Sequence, residues 1–113
     1  MTEPRLAASV EASALIRQVS ADGGFATILA KGDAERGSLL LIVTTRGRHV
    51  AVLERMLDAT GAYRWHASGP AEKQDFTLDE WLRKRRRSDS DLWLIELDVP
   101  DAERFIAETT SIG

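Results

Sequence analysis

Five consecutive basic residues, Arg83-Lys84-Arg85-Arg86-Arg87, follow closely behind Trp81, and cations beside an aromatic ring can grip phosphates while the ring stacks on a base. The same run has a structural reading. On a helix beginning at Leu78 it occupies the last two turns, where positive charge offsets the negative end of the helix dipole by about 0.3–1 kcal/mol per residue. Asp79 with Arg83, and Glu80 with Lys84, are acid-before-base pairs four residues apart, worth about 0.2–0.5 kcal/mol each. Helical geometry puts Leu78, Trp81, Leu82 and Arg85 on one face and turns Lys84 and Arg87 elsewhere. Trp81 is then a core residue that cannot stack on a base. A solvated helix end is the better account, and Arg83, Arg86 and Arg87, with Arg64 and His66, form the candidate partner surface.

Arg85, on the inward stripe of that helix, must reach water along its own stem or find a carboxylate. Asp89, Asp91 and Glu96 lie just downstream, and a structural ion pair between Arg85 and one of them is expected. Glu96 shares its strand face with Leu92 and Leu94 and needs a cation or donors there. A carboxylate pair doing acid–base work is the functional counterpart, but nothing else in the sequence marks a substrate pocket. His49 and His66 are the only histidines. Neither has a second ligand at metal spacing, so no metal site is expected, and no partner for general-base catalysis follows from spacing. Lys31-Gly32-Asp33 through Gly37 lacks the phosphate-loop pattern and reads as a hairpin turn, with glycine for positive φ and aspartate as a side-chain cap.

The elements that would position these residues follow from periodicity. Ala8, Ala12, Leu15, Ile16 and Val19 recur at helical spacing from Pro4 to Val19, and Gly23-Gly24 ends the helix. Phe25 to Lys31 is a strand. The continuous apolar run Leu39-Leu40-Leu41-Ile42-Val43, extended by Thr44-Thr45, suits a central strand covered on both faces. Arg46-Gly47 turns the chain into a third strand, His49 to Leu53, with Glu54 to Leu57 open between strand and helical turn. Tyr63, Trp65 and Ala67 alternate with Arg64, His66 and Ser68, which predicts a half-buried fourth strand with its aromatics inward, ended by Ser68-Gly69-Pro70. A polar connection through Asp75 leads to Thr77-Leu78-Asp79-Glu80, which has the form of a capping box. Leu92 to Val99 is a fifth strand and Asp101 to Thr109 a last helix, with Phe105 and Ile106 inward. The fold class is α+β: helix, four-stranded antiparallel meander, helix, fifth strand, C-terminal helix, in one domain over residues 1–113.

Composition limits the alternatives. With 43% apolar and 29% charged residues, the chain is too apolar for disorder and too interrupted for a membrane span. A net charge of −3 gives no general attraction to nucleic acid or anionic lipid. The absence of cysteine excludes disulfides, thiolate metal sites and a cysteine nucleophile, and fits the cytoplasm. Met1 to Leu6 shows no secretory pattern.

Phe25-Ala26-Thr27 leading to Lys31-Gly32-Asp33 and Gly37, then Arg87-x-Asp89-x-Asp91-Leu92-Trp93 and Glu96, resembles small bacterial proteins of domain-of-unknown-function family 1491. That resemblance spans nearly the whole chain and implies a free-standing single-domain protein without adding an activity. The leading expectation is a non-enzymatic protein-interaction or regulatory module without cofactor, its partner another protein or itself as a homodimer. The alternative is a nucleic-acid binder using Arg83, Arg86, Arg87, Arg46 and Arg48, and the third is a small enzyme using His66 or Glu96.

Overall fold

The computed structural model describes residues 6–68 and 77–112. The expected helix start at Pro4, the turn at Gly69-Pro70 and the connection to Asp75 lie outside these residues. The element order is α1 (Ala8–Ala21), β1 (Phe25–Ala30), β2 (Leu39–Thr45), β3 (Arg48–Leu57), β4 (Tyr63–Ser68), α2 (Leu78–Ser88), β5 (Trp93–Asp98) and α3 (Ala102–Ile112). All strands join one sheet in the order β1-β5-β2-β3-β4. The α+β class and element order are as expected, whereas the antiparallel meander holds three strands, β2-β3-β4, and not four. β5 inserts between β1 and β2, antiparallel to the first and parallel to the second.

Burial explains the insertion. β2 and β5 are mostly apolar and are buried on both faces, so they take the sheet centre, while half-exposed β1 is left at an edge. The expected β1–β2 hairpin is therefore absent, and residues 31–38 instead cross the start of β5. Gly32 and Gly37 serve this crossing by close approach and not by positive φ. A Cβ would fall 1.9 Å from the Asp91 carbonyl oxygen at Gly32 and 2.4 Å from it at Gly37. Asp33 caps the local turn as expected, its Oδ1 accepting from the Glu35 and Arg36 amides at 2.9 and 2.7 Å. Those two donors hold its carboxyl below the ordinary value.

The same crossing finishes α1. Ala7 offers no side-chain cap, and the free amides of Ala8 and Ser9 donate instead to the carbonyls of Glu35 and Ala34 at 3.3 and 2.9 Å. At the other end Gly23 takes φ 87°, which releases the helix at low cost. α1 and α3 cover one face of the sheet, over Leu41, Val43, Leu53, Ile95 and Leu97. α2 covers the other, over Leu40, Ile42, Val52, Leu92 and Leu94.

β3 runs on to Leu57, which settles Glu54 to Leu57 as strand. The β2–β3 turn has Arg46 and Gly47 at φ 53° and 77°, and Asp98 secures it by accepting from both amides at 3.0 and 3.1 Å. Of the two aromatics expected inward on β4, Trp65 is buried and Tyr63 is 66% exposed. Tyr63 pairs with Leu57 at the far end of the β3–β4 hairpin, where Leu57 is also exposed. Among the described residues no helix is long and apolar enough to cross a membrane.

Candidate functional site

The basic run at the end of α2 is built from local rules. Thr77 Oγ1 accepts from the Glu80 amide at 3.2 Å, so the cap forms where its spacing predicts. Leu82 is buried and Trp81 is partly buried against the same cluster. The cations then separate. Arg83 pairs with Asp79 at 3.0 Å in solvent. Arg86 donates to the Ser90 carbonyl, and to the Lys31 carbonyl at 2.7 Å, tying the helix end to the crossing loop. Arg87 remains exposed.

Arg85 turns inward as expected, but its carboxylate is Glu54 of β3 and not Asp89, Asp91 or Glu96. The guanidinium donates to both Glu54 oxygens, Nη1 to Oε2 at 2.9 Å, and lies 5.3 Å from the Trp81 ring centre. Ser68 Oγ also donates to Glu54 Oε2 at 3.2 Å. The Arg85 hydrogen bonds hold the Glu54 carboxyl below its ordinary value although burial opposes them, and Glu54 in turn raises Arg85. Chain geometry explains the choice of partner. Asp89 and Asp91 are exposed beyond the helix end, with Asp89 Oδ1 accepting from the Asp91 amide at 3.1 Å. Glu96 is half-buried beside Thr27 and Ile42.

Arg64 and His66 lie on the face of β4 opposite Trp65. Arg64 Nε meets Asp58 at 2.7 Å, and Asp58 also accepts from Thr60 and Ala62, which together lower its carboxyl to about 2. His66 is exposed opposite Glu54. His49 is exposed opposite Thr44, and partial desolvation lowers its imidazole from the ordinary value. No group of three His, Cys, Asp or Glu residues able to hold a metal ion occurs among the described residues.

Two features escape the sequence reading. The first is an Arg–Glu–Trp cluster on the opposite face of the sheet, where Arg55 lies 4.6 Å above the Trp65 ring and its Nη1 is 2.6 Å from Glu11 Oε1 of α1. Strand alternation would have placed Arg55 beside Leu53 on the inward side, had Glu54 to Leu57 been read as strand. The second is the outer edge of β1, whose only strand partner among the described residues is β5. Its sequence, Phe-Ala-Thr-Ile-Leu-Ala, carries neither charge nor proline.

Five of the residues on which the family resemblance rests, Gly32, Asp33, Gly37, Asp91 and Trp93, come together as a structural junction. Trp93 Nε1 donates to the Asp33 carbonyl at 2.8 Å, the Asp33 amide donates to the Asp91 carbonyl at 3.0 Å, and the two glycines pack on that same carbonyl. No curated protein matches the chain. Among solved structures it is similar to a DUF1491 family protein from Caulobacter crescentus CB15. The crystal structure of that protein gives a TM-score of 0.76 at 26% identity, with 89% of this chain and 94% of that one covered. An NMR structure of a DUF1491 family protein from the same organism gives 0.71 at 27%, covering 88% and 91%. Protein Atu0922 from A. tumefaciens gives 0.68 at 28%, covering 87% and 89%. The model of the protein family of unknown function DUF1491 matches residues 6–107, and the chain belongs to that family.

Proposed function

We propose that this chain is a non-enzymatic cytoplasmic interaction module that works by strand addition at the outer edge of β1, with a second copy of itself as the partner. One observation carries the reading: the edge bears neither charge nor proline. Natural sheet edges are protected by charge, proline, a β-bulge or a covering element; β1 has neither of the first two, its register shifts only at its end, between Ile28 and Ala30, and it exposes Phe25 at 76% and Leu29 at 50%. The other edge, β4, carries Arg64 and His66. A neutral strand meets its own antiparallel copy without charge repulsion, so two-fold self-pairing is permitted.

Two six-residue strands add at most about six hydrogen bonds of roughly 0.5–1.5 kcal/mol each. Set against an association cost of about 4–15 kcal/mol, this supports a weak, concentration-dependent dimer. Sedimentation equilibrium should show dimer at high micromolar concentration, and Thr27→Lys with Leu29→Lys should abolish it while leaving the circular dichroism unchanged. A wild-type chain still monomeric at millimolar concentration overturns the reading.

Nucleic-acid binding gains nothing from the basic residues. Arg46 and Arg48 close one end of β2 while Arg83, Arg86 and Arg87 sit by the other, about 20 Å away along a seven-residue strand. Arg83 and Arg86 are already engaged with Asp79 and with backbone carbonyls.

A further inference from the structure

We propose that the cavity between α1 and α3, bounded at one end by Glu11, Arg55 and Trp65, binds a free α-amino acid with an apolar side chain. Its carboxylate would lie on Arg55 and its ammonium on Glu11. The cavity measures about 300 Å³ and has Leu15, Leu41 and Phe105 in its wall. That is the lower end of the roughly 300–1,000 Å³ range of small-molecule sites, so the occupant is one small molecule and not a segment of chain.

The polar end is incomplete. A guanidinium carries five N–H donors in a rigid fork, yet Arg55, whose side chain is 31% exposed, makes no aligned hydrogen bond to any described residue. Its contact with Glu11 is charge against charge, with Nη1 2.6 Å from Oε1 but off the N–H axis. Glu11 Oε1 is buried and accepts no aligned hydrogen bond. The guanidinium carbon lies over the Trp65 indole, 4.6 Å from the ring centre, a contact that uses none of the fork's N–H donors. A half-buried fork and a buried carboxylate oxygen, paired at 2.6 Å but without an aligned hydrogen bond, thus meet beside an apolar cavity.

The ligand class follows from the charges. A simple carboxylate would bond Arg55 but set a second anion beside Glu11, and a simple amine would bond Glu11 but set a second cation beside Arg55. A zwitterion answers both groups with no net charge, and an apolar side chain then covers Leu15, Leu41 and Phe105. The fork takes a carboxylate by two parallel N–H bonds.

Titration of ¹⁵N-labelled protein with L-leucine tests this, using 4-methylpentanoate and isopentylamine as probes that each lack one charge. Leucine should shift the Trp65 indole and Arg55 Nε resonances saturably at millimolar concentration or below, with the Trp93 indole, bonded to Asp33, as the unmoved control. Each one-charge probe, and leucine with Glu11→Gln or Arg55→Met, should bind at least about tenfold more weakly. Arg55→Lys, which keeps the charge but loses the fork, should also weaken binding and serves if the methionine variant does not fold. No leucine shift, equal binding of 4-methylpentanoate, or undiminished binding by the arginine variants overturns the proposal.

Discussion

Glu54 and Arg55 are neighbours on β3, so their side chains leave the sheet on opposite faces, and each joins an Arg–Glu–Trp cluster. Under α2, Glu54 is held by both arms of Arg85 and by Ser68, with Trp81 alongside. Between α1 and α3, Arg55 leans on Trp65 and touches Glu11 off axis, beside a cavity. Residue types are the same and side-chain exposure is similar, 31% for each arginine and 17% against 14% for the glutamates. What differs is hydrogen-bond completion. A finished network fixes a helix to a sheet, whereas an unfinished one keeps donors and an acceptor for something else.

The largest expected effect separates these roles directly. Arg85→Met strands a half-buried carboxylate and should cost about 2 kcal/mol, between the values for exposed and fully buried pairs. Arg55→Met removes an off-axis contact with Glu11 and the contact with Trp65 and should cost less, about 1 kcal/mol. Urea denaturation of the two variants measures both, and equal losses would erase the distinction.

Acid sharpens the same contrast. The folded state holds the Glu54 carboxyl below its ordinary 4.5, chiefly through the Arg85 hydrogen bonds. A lowered carboxyl stabilises the fold at pH above its unfolded value, and that stability is lost as pH falls through the folded value. The stability gap between wild type and Arg85→Met should be constant above about pH 5 and shrink as the pH drops below 4.5. A gap independent of pH down to 3 would mean that Arg85 acts by packing on Trp81 and not through Glu54.

Sequence legibility divides along similar lines. Features set within a few residues were readable: the Thr77 cap, the inward face shared by Trp81, Leu82 and Arg85, the Arg46-Gly47 turn, and the Asp33 cap. Features set by distant contacts were not. Placing β5 between β1 and β2 requires knowing that two doubly buried strands exclude a half-exposed one from the centre. Gly32 and Gly37 carry a glycine signal that a hairpin explains equally well, and only the Asp91 carbonyl pressed against them shows the crossing. That Arg85 needed a carboxylate was legible from its face, but Glu54 lies 31 residues away across a sheet boundary. Glu11 and Arg55 come from elements with no sequence relation at all.

The smallest effect tests whether the finished cluster is a unit. Thr77→Ala should remove the cap of α2 at a cost of about 1 kcal/mol. Arg85 lies eight residues along the helix, about 12 Å from the cap at 1.5 Å per residue, and shares no partner with it. Thr77→Ala and Arg85→Met should therefore add to within about 0.5 kcal/mol. Glu54→Gln and Arg85→Met remove the two sides of one ion pair, and their combined loss should fall short of the sum by about 1 kcal/mol. The Glu11→Gln and Arg55→Met cycle, built on an off-axis contact, should couple by less than about 0.5 kcal/mol. A coupling there as large as that of Glu54 with Arg85 would make the α1–α3 cluster as complete as its counterpart, and the two faces of β3 would no longer differ in kind.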